Sequence, residues 1–108
     1  MELPAIIRAL IVSQNNQDST SFAACFSRQA NVYDEGRSYE GQAAIKAWNE
    51  HTSNEYKTQI EPIELIESDI ETILIVNVSG RFEGSPIKLN YHLVIKDNLI
   101  TSLTIKSS

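Results

Sequence analysis

Cysteine is almost absent from this 108-residue chain, which contains only Cys25. A single cysteine cannot form a disulfide within the chain, so nothing in the sequence points to an oxidising compartment. Residues 1–17 carry Glu2 where a secretory signal would carry positive charge, and their apolar positions are periodic rather than continuous. The sequence therefore predicts a cytoplasmic protein.

Basic residues are few and scattered. Nine Lys and Arg residues stand against fourteen Asp and Glu residues, which gives a formal net charge of −5. Nucleic acids and anionic membranes are bound by basic surfaces, so neither is expected as a partner. No segment approaches the roughly 18 consecutive apolar residues of a membrane span, which also argues against a membrane protein.

Motifs for metals and nucleotide cofactors are missing as well. His51 and His92 are the only histidines, and no paired-cysteine or H-x-x-x-H spacing occurs. There is no G-x-G-x-x-G and no phosphate loop, so we expect neither a metal nor a cofactor. The chain has no linker-like stretch and no internal repeat, and 42% of it is hydrophobic. Residues 1–108 are therefore expected to form one domain around one core.

Three amphipathic helices are predicted in the first half of the chain. Residues 3–11 place apolar side chains at helical spacing, and Pro4 suits a first helical turn. A shorter helix is expected to begin after Asp18 or Ser19, which can cap it. Its inner face carries Phe22, Cys25 and Phe26. Gly41 opens the third helix, whose inner face carries Ala44, Ile45, Trp48 and Thr52.

The second half of the chain alternates between apolar and polar residues, as strands do. After a short strand at residues 30–33 and a turn at 34–36, the alternation predicts four consecutive antiparallel strands at residues 57–68, 70–82, 87–96 and 99–106. Three helices followed by such a meander indicate an α+β fold with the helices on one face of the sheet. A sheet that covers three helices must curl, and the remaining space predicts a pocket.

The stretch FSRQANVYDEGRSYEGQAAIKAW, residues 26–48, contains F-x-x-x-A-x-V-x-D, a turn, and then G-x-x-A-I-x-x-W. With the predicted element order, this resembles the nuclear transport factor 2-like superfamily, and within it the SnoaL-like group, a relative of ketosteroid isomerase. The resemblance implies a single SnoaL-like domain: a cone-shaped α+β barrel with three N-terminal helices packed on a strongly curved, mostly antiparallel sheet. It also implies an internal cavity and a homodimer formed through the outer sheet face.

Asp34 is the first candidate catalytic residue, because it resembles the general base of the isomerase-like members in position. A carboxylate there can take a proton from a carbon beside a carbonyl and return it nearby. Two structural roles compete with this interpretation. Asp34 can accept backbone N–H groups in the turn before Gly36, or it can form an ion pair with Arg37.

His92 is the second candidate. Counted back from the turn at residues 96–98, it falls where the resemblance implies the second donor to an oxyanion, and an imidazole can donate a hydrogen bond or transfer protons near neutral pH. Asn90 shares its strand face by alternation and is expected to contact a ligand. A histidine on the sheet surface is the alternative.

Three apolar residues complete the predicted site. Trp48 and Leu103 are expected to form cavity walls, although Trp48 at helical spacing from Ala44 can equally be a core residue. Leu10 falls where the resemblance implies a tyrosine donor, and its aliphatic side chain has no hydrogen-bond donor. The predicted oxyanion site is therefore incomplete, and loss of one donor can cost about two to three orders of magnitude in rate.

Two functions remain open from the sequence. The first is a small-molecule-binding pocket protein that acts on a small hydrophobic metabolite, with isomerase- or cyclase-like acid–base chemistry left undecided. The alternative is a non-catalytic homodimerising structural or interaction domain whose cavity is filled by its own side chains. The Asp34 and His92 pair favours the first, and the missing donor favours the second. A fold alone does not choose between them.

Overall fold

The computed structural model describes residues 1–107. Three helices and six strands follow one another as α1 (Ala5–Asn15), α2 (Ser19–Ala24), β1 (Phe26–Asp34), β2 (Arg37–Glu40), α3 (Gly41–Tyr56), β3 (Gln59–Glu67), β4 (Thr72–Ser79), β5 (Ile87–Lys96) and β6 (Leu99–Ser107). The α+β class predicted from the sequence is confirmed. No helix among the described residues has the length and apolar character needed to cross a membrane.

Local sequence signals account for the helix boundaries. Pro4 precedes α1, and the apolar stripe Ile7, Leu10 and Ile11 is buried against the sheet. Asp18 caps α2 by accepting a hydrogen bond from the Ser21 N–H at 3.1 Å. Helix α3 begins at Gly41 and ends where Lys57 adopts the left-handed conformation.

The chain enters the sheet earlier than its sequence predicted. Phe26, expected on the inner face of the second helix, instead begins β1, where it pairs with Ile100 of β6. The Ile100 N–H donates to the Cys25 carbonyl at 2.9 Å, so pairing with a distant strand replaces the next helical turn. Strand β2 was not predicted. It pairs with β1 through a tight turn in which Glu35 and Gly36 both have positive φ, as hairpin turns with two central residues favour.

The strands form one sheet in the order β2-β1-β6-β5-β4-β3. Only β1 and β6 pair in parallel, and β3 to β6 form the predicted antiparallel meander. The predicted cone-shaped barrel is not observed: β2 and β3 are the two edges of an open sheet in the described chain. Register shifts in three of the strand pairs are the irregularities that increase local twist without closing the sheet.

The hydrophobic core lies between the helices and the inner face of the sheet. Its fully buried side chains come from every layer: Ile7, Leu10, Phe26, Val32, Ile45, Leu74, Val76, Leu93, Ile100 and Leu103. Each such side chain stabilises the fold by roughly 1.5–3 kcal/mol through burial. The core holds the helices against the middle of the sheet, and a cavity opens beyond it.

Candidate functional site

Asp34 is the last residue of β1, and strand alternation turns it towards the helices. Ala30 and Val32, the preceding residues on the same face, are both buried in the core. Asp34 therefore ends an apolar strand face with a carboxylate. The tight turn at Glu35 and Gly36 follows at once and keeps the carboxylate at the end of the strand.

A cavity of about 600 Å³ opens at this end of the sheet. Its walls come from the end of α1, from α2 and α3, and from β1 and β3 to β6. Aromatic and aliphatic side chains form much of the lining: Phe22, Trp48, Tyr56, Ile60, Val78, Phe82, Ile87, Leu89 and Ile105. Its size and apolar lining are those of a small-molecule site.

The Asp34 carboxyl has an unusual proton affinity. Burial, together with the negative charge of Glu35, raises its pKa from 3.8 to about 6, against a smaller opposing effect of the Glu35 N–H. A carboxyl group with a pKa near neutrality is ionised at physiological pH yet binds a proton readily. Asp34 thus has the proton affinity of a general base.

Tyr91 lies level with Asp34 on the same face of the sheet. Tyr91 pairs with Ile105, and Tyr33 pairs in parallel with Thr104, so Asp34 and Tyr91 lie on either side of Ile105. All three residues line the cavity. Within residues 1–107 the Tyr91 hydroxyl forms no hydrogen bond, although the side chain is only 8% exposed.

Tyr91 stays protonated at neutral pH. Burial raises the pKa of its phenol, and the negative charge of Asp34 raises it further. A neutral phenol presents one O–H donor, and here that donor has no protein acceptor. The arrangement therefore places a proton acceptor and a hydrogen-bond donor on one cavity wall.

Tyr91 was not among the site residues predicted from the sequence, because alternation turns it away from His92, yet a signal for its position was present. The odd-numbered residues Ile87, Leu89 and Leu93 are apolar, whereas Lys88, Asn90 and His92 are polar. Because the buried face of an antiparallel strand is the apolar one, this alternation assigns Tyr91 to the inner face.

The prediction that His92 opens onto the cavity is wrong. Its strand neighbours Tyr91 and Leu93 are buried on the inner face, so alternation turns His92 to the outer face. There its Nδ1 lies 3.3 Å from Glu71 Oε1. Asn90 shares this outer face and is likewise not part of the cavity lining. Counting back from the turn selected the wrong face because a displacement of one residue exchanges the two faces of a strand.

Of the three apolar residues predicted for the site, one lies in the cavity wall and two lie in the hydrophobic core. Trp48 lines the cavity, stacks on Tyr39 with ring centroids 5.5 Å apart, and meets Phe22 at 6.1 Å. Leu10 and Leu103 are fully buried in the core and do not line the cavity, contrary to expectation. Both pack against neighbouring core residues, which fill the space between helices and sheet there.

No cation neutralises Asp34. Arg37 pairs with Asp34 across the hairpin, but their side chains form no salt bridge within the described chain. The competing structural role as an ion pair is therefore not observed. The described residues also contain no group of three or more His, Cys, Asp or Glu side chains that could hold a metal ion.

Three solved structures place this architecture among known proteins. A Sinorhizobium meliloti protein provisionally named polyketide cyclase is 32% identical, with a TM-score of 0.91 over 96% of this chain and 95% of its own. A Catenulispora acidiphila protein with a ketosteroid isomerase-like fold is 16% identical, with a TM-score of 0.89 over 99% of this chain and 88% of its own. An NTF2-like protein from Cytophaga hutchinsonii is 14% identical, with a TM-score of 0.79 over 100% and 95%.

These similarities differ in what they support. The first relative is similar in sequence along nearly the whole of both chains, whereas the other two, below 25% identity, share the fold alone. No protein-family model matches the sequence. No functionally curated protein matches it either.

Proposed function

Because the chain belongs to the nuclear transport factor 2-like superfamily, in its SnoaL-like group, we propose that it binds a small hydrophobic molecule and catalyses acid–base chemistry on it. The observation that carries this proposal is the pair formed by Asp34 and Tyr91 on the wall of a 600 Å³ cavity. The reaction class is isomerase- or cyclase-like proton transfer beside a carbonyl group. The relatives named polyketide cyclase and ketosteroid isomerase-like are compatible with that class.

The chemistry follows from the protonation states of the two residues. The Asp34 carboxylate takes a proton from the carbon next to the substrate carbonyl, and the electron pair of the C–H bond moves towards the carbonyl oxygen. The neutral Tyr91 hydroxyl donates a hydrogen bond to the negative charge that develops on that oxygen. Protonated Asp34 then returns the proton to a carbon of the same molecule, which leaves the enzyme unchanged.

Tyr91 also supplies the oxyanion donor that the sequence did not predict. Leu10 lacks the donor that the family resemblance implied on α1, and His92 faces away. Tyr91, on β5, supplies the oxyanion donor that neither Leu10 nor His92 provides, so the cavity has both a base and a donor. A single oxyanion donor contributes about two to three orders of magnitude to a rate.

The lining disfavours an anionic ligand and suits a largely apolar molecule. Lys106 is the one lysine or arginine among the described lining residues, and it is exposed at the end of β6. Asp34 and Glu35 add negative charge beside the cavity. An anionic ligand would lose its hydration there without gaining a buried cation, which is unfavourable.

Proton exchange tests this function without knowledge of the natural substrate. Neutral ketones are incubated with the protein in D₂O, and deuterium uptake at the carbon beside the carbonyl is followed by NMR. We expect uptake with wild type and none above background with Asp34→Asn. Equal uptake by both proteins would remove Asp34 from the role of base.

The alternative, a non-catalytic homodimerising domain, is favoured by a different surface. On the outer sheet face, Val94 is 39% exposed. A second copy packed on this face would remove the Val94 side chain from water. Sedimentation at micromolar concentration tests the dimer, with Val94→Lys as the disrupting variant. A dimer with no deuterium uptake would support this alternative alone.

The place of action and the extent of the unit belong to the same proposal. We place the protein in the cytoplasm, because its cysteine, Cys25, is buried and unpaired. We treat residues 1–108 as one SnoaL-like domain, because a single core cluster extends from Ile7 to Leu103. Fractionation of cells that produce the protein tests the location.

A further inference from the structure

A chain of polar side chains lies at the end of the cavity remote from Asp34. Ser19 Oγ donates to Asn49 Oδ1 at 2.7 Å, and Asn49 Nδ2 donates to Gln14 Oε1 at 2.6 Å. Gln14 Nε2 then donates to the hydroxyl oxygen of Thr58. These four residues, which we call the amide chain, connect α2, α3 and α1 to the segment before β3.

The amide chain is buried up to Thr58, which is half-buried, and its hydrogen bonds run in one direction. Asn49 is 1% exposed and Gln14 is 6% exposed, so their hydrogen bonds form in a poorly hydrated environment. Each residue donates to the next, and such sequences of hydrogen bonds polarise one another. Thr58 is the last acceptor, and its own hydroxyl proton has no acceptor among residues 1–107. The chain therefore ends in a strengthened, unused O–H donor.

This donor opens onto the same cavity as Asp34. Gln14, Asn49 and Thr58 all contribute to the lining. Thr58 lies two residues before Ile60. Ile60 pairs with Val78, and Val78 pairs with Ile87. Tyr91 is on the same strand as Ile87, four residues further along. Ile60 and Tyr91 are thus separated by two strand spacings, about 10 Å, across the sheet and by about 13 Å along it.

Apolar side chains separate the two polar ends. Val78 and Leu89 line the cavity between the Thr58 end and the Tyr91 end. The nearest cation of the lining, Lys106, is on β6, three strands from β3 in the sheet order. Lys57, next to Thr58, is exposed and is not part of the lining. The Thr58 end therefore offers a hydrogen-bond donor without a positive charge in the cavity wall, which suits a neutral acceptor such as a ketone or amide oxygen rather than a carboxylate.

We infer that the ligand is an elongated neutral molecule with a carbonyl oxygen at each end, and that Thr58 binds the carbonyl remote from the reacting carbon. This inference rests on the proposed function, because it identifies the substrate class of the same cavity. Tyr91 binds the oxygen at the reacting end. Thr58 determines which ligands bind and does not take part in proton transfer.

Paired aromatic ketones test the inference directly. 4,4′-Diacetylbiphenyl and 2,6-diacetylnaphthalene carry a carbonyl at each end at two spacings, and 4-acetylbiphenyl and 2-acetylnaphthalene lack the second one. Trp48 is the only tryptophan and lines the cavity, so quenching of its fluorescence reports binding. We expect at least one diketone to bind about tenfold more tightly than its monoketone, as one added hydrogen bond to a half-buried donor allows.

Two variants of Thr58 test whether its hydroxyl causes the tighter binding of the diketone. Thr58→Val keeps the shape and removes the hydroxyl, so the diketone should bind no more tightly than the monoketone. Thr58→Ser keeps the hydroxyl and should retain the tenfold difference. The monoketone affinity should be the same in all three proteins, which shows that the cavity is intact. Thermal unfolding of each variant confirms folding independently.

The outcomes separate the two proposals. Equal binding of mono- and diketones by wild type, or an advantage that persists in Thr58→Val, would overturn the role of Thr58 while ketone binding stands. An amide chain with a purely structural role would lower the thermal stability of Thr58→Val without changing the ratio of affinities. Failure of every ketone to quench Trp48 would overturn the proposed neutral-ligand cavity as well.

Discussion

Asp34 and Tyr91 lie level on the inner face of the sheet, on strands separated only by β6, with Ile105 between them. Burial raises the pKa of Asp34 to about 6, and the Asp34 charge contributes to the raised pKa of Tyr91. The charge of Asp34 therefore acts on Tyr91 while both residues line one cavity. This relationship is the basis of the first three predictions.

The pH dependence of proton exchange should follow the ionisation of Asp34. A general base acts only when deprotonated, so the rate should rise with pH and level off above a midpoint of about 6. Glu35→Gln removes the charge that helps to raise the pKa of Asp34, and should move the midpoint to lower pH. Exchange rates measured by NMR at a series of pH values, for wild type and Glu35→Gln, test both expectations. A midpoint that Glu35→Gln leaves in place would contradict the assignment.

The stability of the protein should depend on pH through the same carboxyl. Between pH 3.8 and about 6 the folded protein keeps a proton on Asp34 that the unfolded chain has released. The free energy of unfolding therefore falls as pH rises through this window and remains lower above it.

Asp34→Asn lacks this effect. It should be more stable than wild type by about 1–2 kcal/mol near neutral pH, a figure reduced for the partial exposure of Asp34, and the difference should shrink towards acid pH. Urea unfolding at several pH values measures it. A variant that is less stable than wild type at neutral pH would show that Asp34 has a stabilising contact instead.

Tyr91→Phe should separate catalysis from stability. The hydroxyl has no partner among residues 1–107, so its removal should leave the unfolding free energy within about 0.5 kcal/mol of wild type. The exchange rate should fall by about two to three orders of magnitude, because the developing oxyanion loses its donor. Tyr33→Phe, at a residue that is 44% exposed, is the matched control and should leave the rate unchanged.

His92→Asn should leave proton exchange unchanged. His92 interacts with Glu71 on the outer face, and its partial exposure limits the pair to less than about 1 kcal/mol of stability. Exchange assays and urea unfolding measure the two effects side by side. Loss of exchange in this variant would mean that the outer face communicates with the cavity.

Gly80→Ala should destabilise the protein and disturb the cavity mouth. A Cβ at Gly80 would lie 2.6 Å from the backbone oxygen of Tyr56, which accepts a hydrogen bond from the Arg81 N–H. Helix α3 would have to move, at a cost of about 1–3 kcal/mol. Because Tyr56 packs edge-on against Phe82 in the cavity wall, ketone binding should weaken too.

Gly84→Asn is the control for this substitution. Unlike Gly80, Gly84 has a positive φ, but nothing lies within 4 Å of an added Cβ, and Asn tolerates that conformation. Urea unfolding should therefore show a change of less than about 1 kcal/mol for Gly84→Asn. Equal effects of both substitutions would indicate that the contact with the Tyr56 oxygen does not account for the effect at Gly80.

Much of the fold was predictable because it depends on local periodicity. The helical stripe of α1, the Asp18 cap of α2 and the bounds of β5 all follow from residues close together in sequence. Phe26 and β2 were mispredicted, since their conformations depend on pairing with strands elsewhere in the sheet. Predictions failed where a long-range contact outweighed a local preference.

For the site, the sequence by itself determined that a carboxylate ends β1 beside a turn and that the chain is α+β. Only the tertiary structure decided that Tyr91 and Asp34 line the same cavity, that the sheet stays open, and that α1, α3 and the segment before β3 meet in the amide chain. The reason is physical. Alternation offers each strand two faces, and burial against the helices selects which one is inside.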